Sequence, residues 1–362
     1  MGLMIRESLT YGSVYFFLAL INLRLKLILT DDYFNGSLES NHELLMKFQY
    51  INNEQSRLFQ FLIPESFHNL LGFTIREAYI LQRGLFIFLV FLAFHLYLRH
   101  WFRAGGAFSG VLFLAAIMPL SYFNDLQEST PLLLLTFLLG LWAIREEETI
   151  GFMVALALGS LNNETMLFLP GVYFLFHFRG FARSALLGLV SRTAMVALPG
   201  FLVVGLIRYH NRHLPVVAAF EELEVSPWVE NTTQLMSQLS LPFIYYWWGG
   251  FLSFLFLFGA FWIFSFRKMA DKPRFVRRSM WIVPIFVWLH FMMAEVDEVR
   301  LFLPLAFVII PSALFFLMPM DGVIQDGENH DGDDSSPAKP ETISGTASGS
   351  SGVGSSSLSD SG

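Results

Sequence analysis

Apolar stretches long enough to cross a bilayer recur along most of this chain, and nothing else in it limits the fold as strongly. The first, 9–29, has about the 20 residues that a helix needs to span the hydrocarbon core. In that medium backbone N–H and C=O groups find no water, so spanning segments satisfy them internally. Candidate spans are 9–29, 80–98, 107–123, 130–144, 148–161, 165–178, 186–207, 249–266, 279–294 and 300–318. The expected fold is all-α: a polytopic membrane protein of about ten transmembrane helices. Composition agrees, since 54% of residues are hydrophobic and only 15% charged, against about 25% charged in soluble domains. The absence of cysteine excludes disulfides, thiolate nucleophiles and Cys-based metal sites. No small-x-small cleavage site follows the first run, which reads as an uncleaved signal anchor.

Charge in the loops sets the expected orientation. One set of alternate loops holds Arg99 and Arg103, then Arg145, then Arg179 and Arg183, then Arg267, Lys268, Lys272, Arg274, Arg277 and Arg278. The intervening short loops, 121–130, 161–165 and 295–299, contain no Lys or Arg. By the positive-inside rule both termini are cytoplasmic. The same parity splits 148–178 into two short helices meeting near Asn163, because a single helix would reverse every later span. Residues 1–320 form the transmembrane domain, with long outward loops at 30–79 and 208–248. The first loop has apolar residues at helical spacing and reads as amphipathic interfacial helices; the second ends in "PFIYYWWGG", an aromatic belt signal. Residues 321–362 read as an acidic, Gly/Ser-rich, disordered cytoplasmic tail.

The outward side collects the candidate chemistry. Asp31 and Asp32 follow the first span directly. Asn124, Asp125 and Glu128 follow the third, where an outside loop normally leaves them solvated. "LNNET" supplies Asn163, Glu164 and Thr165, and because so little loop lifts this turn clear of the membrane, Glu164 reads as a buried functional carboxylate. Glu295, Asp297, Glu298 and Arg300 open the last span. Such a rim suits a general base or a divalent cation. Arg57, Arg76 and Arg300 are among the few cations on this side, and guanidinium groups bind phosphate oxygens bidentately. Arg24 and Lys26 read as side chains that snorkel to lipid head groups. No phosphate-binding loop, dinucleotide fingerprint, zinc-protease or hydrolase motif is present, and no feature points to nucleic acid.

"LTDDYF", then "FQYINNEQSRLFQFLIPESF", and the turn "LNNET" before "LFLPGVYFLF" together resemble the GT-C superfamily of polytopic membrane glycosyltransferases. The resemblance implies a polyprenyl-phosphate-linked sugar as donor and an acceptor glycan, lipid or protein. It implies that Asp32 or Asp31 is the catalytic base or helps hold a divalent cation, Mg or Mn. Glu164 joins them as a catalytic candidate, with Asn163, Arg57, Arg76, Glu298 and Arg300 binding substrate. The chain departs from many members in having no soluble domain after the membrane part and no clear second acidic motif, unless "DLQE" or "EVDE" substitutes. The expected function is sugar transfer at the outer face of the cytoplasmic membrane. The alternatives are a transporter or flippase of a lipid-linked or small polar substrate, and a non-catalytic assembly protein.

Overall fold

The computed structural model describes residues 2–50, 52–122, 128–212, 228–229, 231–233, 235, 253–293 and 298–318. Its elements are all helical: α1 (Gly2–Leu29), α2 (Leu38–Met46), α3 (Asn52–Gln55), α4 (Leu58–Leu71), α5 (Ile75–Leu98), α6 (Ala104–Ile117), α7 (Thr130–Arg145), α8 (Thr149–Ser160), α9 (Leu169–His177), α10 (Arg183–Asn211), α11 (Ser253–Phe258), α12 (Phe261–Phe266), α13 (Arg274–Ser279), α14 (Ile282–Met293) and α15 (Ala306–Leu317). The aromatic belt, the tail, Asn124, Asp125, Glu295 and Asp297 lie outside the described residues.

Among the described residues five stretches are long and apolar enough to cross a membrane: Thr10–Leu29, Ile75–Leu98, Ala104–Ser121, Arg183–Asn211 and Val299–Leu317. Thr130–Arg145 and Thr149–Ser160 are apolar but shorter. Helix stands at each of the expected positions, yet several expected spans are interrupted. The 165–178 stretch starts as a 3-10 turn, Glu164–Phe168, before α9. The 249–266 stretch breaks between α11 and α12, where Gly259 takes a left-handed φ of 49°. The 12 residues of α8 rise only about 18 Å, short of the roughly 30 Å hydrocarbon core.

The last helical stretch is the most buried of the five: 78% of the apolar window within Val299–Leu317 is buried, against 17% for α10, which runs along the outside. Phe307 of α15 meets Phe94 of α5 edge-on at 5.1 Å between ring centres. Lipid offers no hydrophobic drive for helix association, so small residues that let backbones approach decide contacts. Gly200 does this for α8 and α10. A Cβ there would lie 2.8 Å from Leu156 Cγ and 3.1 Å from Ser160 Oγ. The close approach brings the end of α8 against the end of α10, where the cleft described below opens.

The turn between α8 and α9 is built by its asparagines. The Asn162 and Asn163 amides both donate to the Gly159 carbonyl, at 3.0 and 2.8 Å, and close α8. Asn163 then turns extended, and its side-chain oxygen accepts from the Thr165 amide at 2.9 Å to start the 3-10 turn. Asn162 is fully buried and donates to the Ser129 carbonyl at 2.8 Å, tying the turn to the start of α7. Residues 148–178 are therefore two helices, as the loop charges require.

The first loop is shorter than expected. A capping box formed by Thr74 and Glu77 starts α5 at Ile75, so Arg76 lies in its exposed first turn. Replacing Gly200 by Val is expected to destabilise the protein by about 1–3 kcal/mol through overpacking. Gly188→Ala, where a Cβ meets open space, is expected to be neutral or to gain up to about 1 kcal/mol. Thermal unfolding in detergent checks both.

Candidate functional site

One group of polar side chains gathers at the end of the bundle where α1 ends, α5 and α7 begin, and α8 and α10 end. Two sequence expectations change there. Lys26 does not snorkel and Glu128 is not solvated: they are 0% and 2% exposed. Arg83 Nη1 donates to Glu128 Oε2 at 2.6 Å, and Lys26 Nζ stands 4.0 Å from Oε1. Both cations lie over the Tyr122 ring, at 5.2 Å for Arg83 and 5.8 Å for Lys26. The Tyr122 hydroxyl donates to Asn22 at 3.0 Å, and Asn22 donates on to the Ala115 carbonyl. A buried charge needs such partners, because losing one leaves the other uncompensated. Arg24, by contrast, is exposed.

The first loop folds over this end and is pinned at two places. His42, 5% exposed, bridges three elements: its Nδ1 is 3.0 Å from the Tyr79 hydroxyl on α5, and its Nε2 is 3.0 Å from Glu65 on α4. The hydrogen bond with His42, helped by Asn69, holds the Glu65 carboxyl below its usual range. Asn211, at the end of α10, donates to Ser56 at 3.0 Å. Tyr33 opens the turn before α2, where burial and then the Glu128 charge push its hydroxyl far up. On α4, Leu62, Leu70 and Leu71 stay exposed while Gln60, Phe61 and Pro64 are buried.

Between the loop and the helix ends lies a small cleft, lined by Ser56, Arg57, Ser160, Asn163, Glu164, Val204, Ile207 and Arg208. Arg57 precedes α4. Burial pushes its guanidinium down to about 10; nearby Arg300 pushes the same way, while Glu54, Glu298 and Glu164 oppose them. It is thus a cation at neutral pH, facing a second cation and three carboxylates. Arg300 is 5% exposed and donates to Glu298 at 2.9 Å.

Glu164 is not buried. Its side chain is 48% exposed, and Oε2 accepts from Arg208 Nη2 and Nε at 2.5 and 3.1 Å. The helix break lifts it to the rim, while Asn162 and Asn163 take the buried places. Ser160 Oγ, which also lines the cleft, is buried with no hydrogen-bond partner.

The fold therefore brings Arg57, Asn163 and Glu164 to one cleft, with Glu298 and Arg300 in electrostatic reach. It leaves three expected residues outside the lining. Asp31 and Asp32 are exposed, Asp31 accepting from Asn35 at 2.8 Å, and Arg76 is exposed. Ser160 and His42 carry no signal in the sequence, whereas Arg208 is one of the few cations on this side; His210, two residues on, is exposed beside Phe48. Among the described residues no three His, Asp or Glu side chains gather as a cation site.

No protein-family model, curated protein or solved structure matches this chain.

Removing the Asn163 cap by Asn163→Ala is expected to cost about 1 kcal/mol of thermal stability. The loop pin is expected to respond to acid. Because the folded Glu65 carboxyl titrates below its ordinary 4.5, its contribution is complete above that pH and is lost as pH falls through the lower folded value. Hydrogen exchange across 38–71, corrected for intrinsic rates, should quicken below pH 4.5 in the wild type, and Glu65→Gln should be loose at neutral pH and lack that step.

Proposed function

We propose that this chain is a multi-pass membrane glycosyltransferase of the GT-C kind, whose cleft receives a phosphate-bearing lipid donor and transfers its sugar to an acceptor. The observation that carries this reading is the lining of one cleft by Arg57 and Arg208, with Arg300 in reach, at the end of a bundle of apolar helices. Arg57 and Arg300 repel one another where burial weakens screening, and a phosphate anion offsets that cost with charge-assisted, bidentate bonds. The distribution of polarity favours an enzyme over a transporter. Beneath the cleft the packing is apolar, with Phe152, Leu156, Met166 and Leu169 fully buried, where a transport path would need polar groups.

In the proposed step a carboxylate takes the proton of an acceptor hydroxyl. The acceptor oxygen bonds to the anomeric carbon, the bond from that carbon to the phosphate oxygen breaks, and the phosphate leaves with the electron pair. Arg57 and Arg300 stabilise the charge that develops on the leaving group. Among the candidate bases the cleft favours Glu164, since Asp32 and Asp31 lie outside its lining. Asn163 orients the acceptor. Among the described residues no three His, Asp or Glu side chains gather to hold Mg or Mn. Lys and Arg are absent from 161–165 and 295–299, which supports a cleft facing outward from the cytoplasmic membrane with both termini cytoplasmic.

The test is transfer of radiolabelled sugar from a polyprenyl-phosphate donor in membranes with and without the protein. Arg57→Gln is expected to lower transfer about 10²- to 10³-fold, and Glu164→Gln about 10²- to 10⁴-fold. Asp32→Asn is expected to retain most activity. Wild-type rates in both the Arg57 and Glu164 variants would sink the assignment, and loss in Asp32→Asn alone would move the base to the loop.

A further inference from the structure

We propose that the Glu164–Arg208 ion pair is a gate that the ligand opens, and that Arg208 is a phosphate-binding residue that the anion captures from Glu164. This rests on the reading of the cleft as a lipid-phosphate site, and adds how that site is regulated.

Three features point to it. The pair bridges two elements across the cleft mouth, Glu164 on the turn after α8 and Arg208 in the last turn of α10. Both Arg208 bonds fall on one carboxylate oxygen, and the side chains are 53% and 48% exposed. Such an exposed pair contributes little stability and opens easily. Beside it, Ser160 Oγ lines the same cleft, 3% exposed as a residue and without a hydrogen-bond partner. A buried hydroxyl left unbonded is unfavourable, and an incoming acceptor oxygen satisfies it.

The donor's phosphodiester offers two non-bridging acceptor oxygens and a full negative charge, so it can accept from Arg208, Arg57 and Ser160 together, against the single oxygen that Glu164 presents to Arg208 alone. It therefore displaces the carboxylate and sits between Arg208, Arg57 and Ser160. Glu164 is released with both oxygens open to an acceptor hydroxyl. Donor binding is in this way coupled to freeing the base. The approach is apolar: Val204 and Ile207 wall the cleft, and Leu198, Phe201, Leu202 and Leu206 are exposed along the same helix. That continuity favours a phosphate carried on a hydrocarbon chain over free phosphate.

The full-length protein in detergent is titrated calorimetrically with a short-chain polyprenyl phosphate, the matching polyprenol and inorganic phosphate. Glu164→Gln removes the competitor and is expected to tighten polyprenyl-phosphate binding about two- to fivefold. Arg208→Gln is expected to weaken it tenfold or more, and the double variant should lose the gain. Polyprenol and inorganic phosphate should both bind more weakly than polyprenyl phosphate. Unchanged or weaker binding by Glu164→Gln overturns the gate. If that result comes with active sugar transfer, the transferase reading stands without it. If the affinity shifts hold but no sugar is transferred, the gate stands and the transferase reading falls. Equal binding of inorganic phosphate overturns the lipid as ligand.

Discussion

Glu128 and Arg83, 2.6 Å apart and nearly inaccessible, fix the level at which the polar end of this bundle begins. Neither charge is tolerated alone in an apolar interior, where removing one partner costs about 3–5 kcal/mol. The pair therefore joins the start of α7 to α5, and Lys26 brings the end of α1 to the same point. With Tyr122 and Asn22 it forms a polar floor beneath the first loop. The loop's own pin, His42 between Tyr79 and Glu65, stands just above, on the α5 residue one turn before Arg83.

The cleft depends on a different constraint. Gly200 lets α10 lie against Leu156 and Ser160, and the Asn162–Asn163 turn stops α8 at that height. One wall is thus a helix flank, Val204 and Ile207, and the other is a turn that carries Asn163 and Glu164. The loop closes the top with Ser56 and Arg57, held to α10 through Asn211. Three segments far apart in sequence meet here, and their charges are opposite enough to sit together: Arg57 feels Glu54, Glu298 and Glu164 as well as Arg300.

Much of the fold was legible. Hydrophobic runs located the helices, and loop charges split 148–178 correctly at Asn163. Among the described residues five stretches are long and apolar enough to cross a membrane, and Gly259 breaks the 249–266 run, which looks continuous in hydropathy. The candidate site was half legible. Arg57, Asn163, Glu164, Glu298 and Arg300 were recognisable as charged or polar groups near helix ends, and they converge. Asp31 and Asp32 were singled out by position after the first span, yet that position leaves them exposed.

The sequence by itself determined that this chain is helical and apolar, because a bilayer-length run has to satisfy its backbone internally, and that its charged residues fall mostly at helix ends. Which of those polar residues face each other, and which are buried, was decided only by the tertiary structure. Burial of Lys26 and Glu128, exposure of Glu164 and its capture by Arg208 all depend on how deep each helix sits beside its neighbours. That depth is set by contacts such as Gly200 against Leu156, between residues 44 positions apart, which no local pattern reports.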